Sequence, residues 1–136
     1  MMLLLPTTRL VSEFGVLKER RPDLWLVTHA AASLIEHVCK GDARVTSIFR
    51  TAEENTMANA KTPIHCEFRA VDISIRPKID EAGYPLDRVN IVRDTLNALL
   101  DGSPNNVVCY VHDASSGMHF HVQAPIGHAL EFRLTA

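Results

Sequence analysis

The chain of 136 residues is 46% hydrophobic and 22% charged, with a formal net charge of -2, which fits one globular domain that buries about two-thirds of its unfolded surface. The mixed signs leave no broad basic face for nucleic acid and no basic amphipathic helix for a membrane surface. Three cysteines without a CxxC pair argue against a disulfide framework or a cysteine-rich zinc knuckle and indicate a reducing compartment.

The opening residues "MMLLLP" are too few, and lack the basic start, for a signal peptide, and no later run approaches the length of a membrane span. We therefore expect a protein that is cytoplasmic as synthesised, does not insert into a membrane, binds no nucleic acid and is a monomer.

The first half of the chain predicts one long helix followed by two strands. Apolar residues at helical spacing predict an amphipathic helix over 23–40. The β-rich segment 43–49 predicts a strand, and the polar segment 50–61 predicts a short helix or an ordered loop. The alternating segment 69–76 predicts a second strand, which ends before a proline.

The second half predicts another long helix and a hairpin. Apolar residues at helical spacing indicate a helix over 86–100. After it, the strands "NVVCYV" (106–111) and "MHFHVQ" (118–123) flank a turn over 112–117. This order of elements predicts a single α+β domain over residues 1–136, with a mostly antiparallel sheet packed against two long helices.

Two segments carry residues that suit a metal ion. In "GMHFHVQ", His119 and His121 share one face of the predicted strand because they lie two residues apart. In "PIHCEFRAVDIS", His65 lies in a predicted loop and Asp72 at the start of a strand, so both side chains can point into one space. Catalytic Zn²⁺ takes three such ligands and leaves a fourth position to water. The alternative is that these are ordinary surface histidines and that Asp72 only hydrogen-bonds a turn.

Three short motifs appear in one order along the chain: "TSIFR", then "HCEFRAVD", then "HFH". This order resembles the LAS-type zinc peptidases, which include D-alanyl-D-alanine carboxypeptidases, phage L-alanyl-D-glutamate endopeptidases and the sonic hedgehog signalling domain. The likeness covers about residues 43 to 123. The residues that match the family pattern are Ser47, Arg50, His65, Ala70, Asp72, His119 and His121.

The resemblance implies a hedgehog or D-Ala-D-Ala peptidase-like fold in which His65, Asp72 and His121 bind Zn²⁺. It also implies that His119 stabilises the oxyanion of a tetrahedral intermediate and that Arg50 holds a substrate carboxylate or carbonyl. The expected activity is a zinc metallopeptidase that hydrolyses L-Ala-D-Glu or D-Ala-D-Ala bonds of the peptidoglycan stem peptide. Such an enzyme acts on the cell wall after release and is typically encoded by a phage or prophage.

The chain departs from the family pattern in the loop that carries the first predicted ligand. Pro63 stands where the family has a serine, and Phe68 stands where it has a glycine. We therefore expect the loop around His65 to run somewhat differently from that of the family, with its ligand chemistry retained.

The general base is a second departure. The family's glutamate just before the last ligand has no counterpart, because residues 114–118 read "ASSGM". The nearest acid is Asp113, which we predict to take the proton from water, with His112 as the weaker candidate. Alternatively, Asp113 only initiates the turn. A chain without a general base would be a non-catalytic zinc-binding module that recognises a peptide or protein, or a virion component.

Overall fold

The structure, a computed structural model, describes residues 3–76, 87–102, 107–114 and 117–133. Its helices in chain order are α1 (Thr8–Arg20), α2 (Pro22–Leu34), α3 (Ala52–Met57) and α4 (Asp87–Leu99). A π-helical turn (Ile35–Cys39) extends α2, and a 3-10 turn (Ile64–Glu67) precedes the third strand. The strands are β1 (Leu3–Leu4), β2 (Asp42–Ser47), β3 (Ala70–Arg76), β4 (Leu100–Asp101), β5 (Cys109–Ala114), β6 (Gly117–Gln123) and β7 (Glu131–Phe132).

Five of these strands form one sheet in the order β1-β2-β3-β6-β5. The β1–β2 pair is parallel, and the β2–β3, β3–β6 and β6–β5 pairs are antiparallel. Strands β4 and β7 make a separate antiparallel pair. The described residues therefore have the α+β class with a mostly antiparallel sheet, as predicted.

The helical layer is larger than predicted. Helix α2 with its π-helical extension falls on the segment predicted as helical over 23–40, and α4 lies in the segment predicted over 86–100, of which Leu86 is outside the described residues. A third helix of 13 residues, α1, was not predicted; it buries Leu10, Phe14 and Leu17, and the Thr7 side chain caps it by accepting from the Leu10 N–H. None of the helices in the described ranges is long and apolar enough to cross a lipid bilayer.

The hairpin turn is shorter than predicted. Strand pairing between β5 and β6 continues as far as Ala114 opposite Gly117, so His112 and Asp113 belong to β5 and not to the turn. The turn predicted over 112–117 is therefore wrong at His112 and Asp113. Pairing these two residues with β6 adds backbone hydrogen bonds that a turn at the same positions would leave unformed.

The sheet has two chemically different faces. Val45, Ile73 and Phe120 are opposite one another on adjacent strands and are fully or almost fully buried in the core. Since successive strand residues point to opposite faces, their neighbours Asp72 and His121 lie on the other face. Apolar packing thus holds the strands whose polar face carries the candidate ligands.

Two of the three cysteines belong to this core. Cys39 and Cys109 are completely buried and unpaired. Burial raises the pKa of the Cys109 thiol to about 12, so this thiol stays neutral at physiological pH and behaves as a small apolar side chain. Both side chains therefore contribute to the packing of the core.

Candidate metal centre

The centre is built on the pairing of β3 with β6. Asp72 and His121 are directly opposite in the antiparallel register, which places the two side chains on the same face of the sheet. His121 Nδ1 lies 2.9 Å from Asp72 Oδ1. Asp72 is 5% exposed, so a charged carboxylate is held next to an imidazole in a largely dry environment.

His65 reaches the same carboxylate from the 3-10 turn. Its side chain is buried, and its Nε2 lies 3.2 Å from Asp72 Oδ2. That nitrogen is within ion-pair distance of Asp72 but forms no hydrogen bond among the described residues. The other nitrogen, Nδ1, lies 3.2 Å from the Ile48 carbonyl oxygen. A buried nitrogen without a partner is costly unless another group satisfies it.

The residues present fit a metal ion. One ligand atom from each of His65, Asp72 and His121 lies within 4.8 Å of the others. Ligands bound to zinc at about 2.0–2.1 Å in a tetrahedron lie ~3.4 Å apart, so only small side-chain adjustments are needed. An ion at this point would also satisfy the buried Nε2 of His65. The three ligands predicted from the sequence therefore form a cluster that can hold a metal ion.

The electrostatics of the cluster favour an ionised carboxylate. Burial raises the pKa of Asp72, but the hydrogen bond from His121 and the contact with His65 outweigh burial and hold the pKa well below its usual range. Asp72 therefore carries its negative charge throughout the pH range in which a histidine can act as a ligand.

The loop that carries His65 contains one residue in an unusual conformation. Phe68, at the position of the family's glycine, has φ 54° and ψ 37°, the left-handed region that glycine adopts readily. For a residue with a side chain this costs about 1–2 kcal/mol. The ring is 7% exposed, stacks on Phe49 at 4.8 Å and lies under Arg20 at 5.1 Å. Packing of the ring thus offsets the backbone cost.

This conformation reverses the usual order of two substitutions. Both Phe68→Gly and Phe68→Ala remove the ring, but only alanine keeps the left-handed strain. We expect the glycine variant to be more stable by about 0.5–1 kcal/mol in urea denaturation. Val16, which is exposed on α1, provides the control. There Val16→Ala should be more stable than Val16→Gly, because alanine favours the helix. The same order at both positions would contradict the strain at Phe68.

Helix α1 also contributes to the site, although it is remote in sequence. Glu13 Oε1 accepts a hydrogen bond from the Phe49 backbone N–H at 3.3 Å, and Arg9 Nη2 donates to the Phe49 carbonyl oxygen at 3.0 Å. Arg9 in turn pairs with Glu13 and, at the start of α3, with Glu54. Both backbone groups of the residue before Arg50 are therefore held by one helix.

The cluster lies in an open cleft of ≈ 870 Å³. The loop 58–64 forms one wall, and strands β5 and β6 form another. Arg50 lines the cleft, and its Nη2 donates to Asp72 Oδ2 at 3.2 Å. His119 also lines the cleft, two residues from His121 on the same face of β6. Both residues predicted to contact substrate are thus next to the candidate metal ligands.

The two candidates for the general base differ in position. His112 is opposite His119 in the register and lines the cleft, with its ring centroid 5.4 Å from that of His121. Burial, then the nearby His121 and His119, lower the pKa of His112. Asp113 is opposite Met118, and its side chain lies outside the described part of the structure. His112, the weaker candidate in the sequence, is thus the one whose side chain lines the cleft.

One residue that lines the cleft, Gln123, was not predicted from the sequence. Gln123 continues the series of alternate residues begun by His119 and His121 on β6, and its Oε1 lies 3.0 Å from His121 Nε2. Gln123 follows His121 at the same two-residue spacing that places His119 and His121 on one face. The sequence therefore contained the pattern that predicts its position.

Comparison of the chain with models of known families, with characterised proteins and with solved structures finds no match.

Proposed function

We propose that this chain is a zinc-dependent peptidase that hydrolyses peptidoglycan stem peptides, on a hedgehog or D-Ala-D-Ala peptidase-like fold. The observation that carries the proposal is the convergence of His65, Asp72 and His121 within 4.8 Å at the wall of an open cleft. Two imidazoles and one carboxylate are a donor set typical of catalytic zinc. The substrate comes from the family resemblance, as does release from the cytoplasm of a phage-infected or lysogenic cell.

Zinc held by these three side chains would polarise the scissile carbonyl and lower the pKa of a water molecule toward ~7. The other groups come from the chain itself. Arg50 binds a carboxylate or carbonyl of the peptide, since its planar guanidinium has several donors and contacts Asp72 through Nη2. His119, on the same face of the strand as His121, donates to the oxygen that becomes negative as the carbonyl is attacked.

We assign the proton transfer from water to the leaving amine to His112. Its position opposite His119 and the distance of 5.4 Å between its ring centroid and that of His121 support this role. The lowered pKa of His112 keeps the imidazole neutral near pH 7, so that it can accept a proton.

This assignment predicts a clear difference between two neighbouring variants. In His112→Gln, kcat for stem-peptide hydrolysis should fall about 10²–10⁴-fold, the usual contribution of a general base. In Asp113→Asn, kcat should change by less than about threefold, because proton transfer does not need that carboxylate. Zinc content, measured in parallel, should stay at one per chain in both. A large loss of kcat in Asp113→Asn alone would return the role to Asp113.

The proposed activity is tested by incubating the zinc-loaded protein with purified stem peptides that contain L-Ala-D-Glu and D-Ala-D-Ala bonds. Mass spectrometry should detect products with a new amino terminus, and chelation of zinc should abolish them. Absence of cleavage in all peptides, with zinc bound at one per chain, would contradict the peptidase.

That negative result would favour a non-catalytic zinc module that binds a peptide or protein. One observation supports this second candidate: Asp72 is the only carboxylate among the described residues that line the cleft. The cleft also carries the cationic side chains of Arg50, Lys61 and Arg69, which suit an anionic peptide. Binding of an uncleaved acidic stem peptide, measured by calorimetry, would identify this module.

A further inference from the structure

Gln123 makes two hydrogen bonds that together determine how its amide is oriented. Its Nε2 donates to the Val107 carbonyl oxygen at 2.9 Å, and its Oε1 lies 3.0 Å from His121 Nε2. A backbone carbonyl can only accept, so the NH₂ group must face Val107 and the amide oxygen must face the imidazole. The link to Val107 therefore excludes the flipped amide.

The orientation of the amide determines which imidazole nitrogen carries a proton. Oε1 of Gln123 can only accept, so Nε2 of His121 must be the donor in this contact. The opposite nitrogen, Nδ1, faces Asp72 Oδ1 at 2.9 Å. A metal ion that binds the ring on this side takes the lone pair of Nδ1, while Nε2 keeps its proton and donates it to Gln123 Oε1.

His65 has the same arrangement with the two nitrogens exchanged. Its Nδ1 lies 3.2 Å from the Ile48 carbonyl oxygen, and its Nε2 faces Asp72. Each imidazole thus has one nitrogen directed at the cluster and an oxygen acceptor behind the other. Only for His121 is that acceptor a side chain, and so only there can substitution remove it without altering the backbone.

We propose that Gln123 is a positioning residue for the metal centre: it holds His121 with a proton on Nε2 and so directs the Nδ1 lone pair at the ion. This inference rests on the proposed metal site and is independent of peptide hydrolysis. Partners of this kind fix the orientation of a ligating histidine and raise its basicity, and their loss typically weakens metal binding about 10–100-fold.

Two variants separate the acceptor from the shape of the side chain. Gln123→Met keeps the length of the side chain but has no strong acceptor, so we expect its Kd for zinc to rise about 10–100-fold. Gln123→Glu keeps an acceptor oxygen, and its Kd should stay within about threefold of wild type or decrease. Competition with a chromophoric chelator measures both values. Equal Kd values for wild type and Gln123→Met, or an equal loss in both variants, would overturn the proposal.

Asn97 provides a control for a purely structural role. Its side chain also holds the start of β5, since Oδ1 accepts from the N–H groups of Val108 and Cys109 and Nδ2 donates to the Cys109 carbonyl oxygen. Asn97→Ala should lower the melting temperature and leave the Kd for zinc within about threefold of wild type at temperatures where the variant is folded. If Asn97→Ala weakens zinc binding as much as Gln123→Met does, Gln123 acts only by tying β6 to Val107.

These measurements separate the two proposals. Tight zinc binding that depends on Gln123, without peptide cleavage, would contradict the peptidase and support the positioning role. Peptide cleavage with an unchanged Kd for zinc in Gln123→Met would support the peptidase and contradict the positioning role. A wild-type chain that binds no zinc would overturn both.

Discussion

An Asp72→Asn variant is expected to bind zinc at least about 100-fold more weakly than the wild-type chain. Asp72 is the one anionic ligand of the three, and its two carboxylate oxygens face His121 at 2.9 Å and His65 at 3.2 Å. Asparagine has nearly the same shape but no charge, and its amide NH₂ would face a nitrogen that must stay free for the metal. Loss of a ligand should exceed the ~10–100-fold cost of losing a hydrogen-bond partner behind it.

Two measurements check this expectation. Zinc content after gel filtration should fall from one per chain toward zero in Asp72→Asn, and stem-peptide hydrolysis should be lost with it. Saturating zinc should also stop raising the melting temperature of the variant, whereas zinc at 1,000 times its Kd should stabilise the wild-type fold by about 4.1 kcal/mol.

Asp94→Asn is the matched control, because Asp94 is exposed and pairs only weakly with Arg93 next to it on α4. This variant should keep zinc affinity and activity. Zinc bound at full stoichiometry by Asp72→Asn would show that the ion, where it binds, does not use the cluster.

The largest effect on stability is expected from Phe120→Ala. Phe120 is 1% exposed and is among the largest completely buried side chains. Truncation of such a ring removes its burial and leaves a cavity, so the free energy of unfolding should fall by about 3–5 kcal/mol in urea denaturation. Phe132→Ala is the control, since Phe132 is 67% exposed and its loss should cost within ~0.5 kcal/mol.

This variant also tests the separation between the two faces of the sheet. Phe120 lies between His119 and His121 in β6, but its side chain points into the core and theirs point into the cleft. At temperatures where Phe120→Ala remains folded, its Kd for zinc should therefore stay within about threefold of wild type. A collapse of zinc affinity in the folded variant would mean that core packing and ligand geometry are coupled through β6.

The core and the cluster were predicted to different degrees. Strands β3 and β6 could be recognised because alternation is a local property, and it also put His119 and His121 on one face. Helix α1 was missed although Leu10, Phe14 and Leu17 recur at helical spacing. That spacing was readable in the sequence. Its role at the site was not, since the hydrogen bonds of Arg9 and Glu13 to Phe49 join residues 36 and 40 positions apart.

The general base and the positioning residue could be assigned only once the strand register was known. The sequence favoured Asp113 because acidity and proximity along the chain were the only criteria available. Extension of β5 beyond the predicted strand placed His112 opposite His119, and no local pattern distinguishes a residue in a strand from one in the adjoining turn. The orientation of Gln123 depended in the same way on a contact with Val107 across the hairpin.

The sequence by itself determined which residue types are available and which of them share a strand face, because side-chain alternation follows from the backbone of each segment alone. It also specified, through the order of its motifs, three candidate ligands that the fold brings within reach of one ion. Only the tertiary structure decided which nitrogen of each imidazole faces Asp72 and which oxygen stands behind the other. Those contacts join residues up to 49 positions apart, and they exist only once the strands have paired.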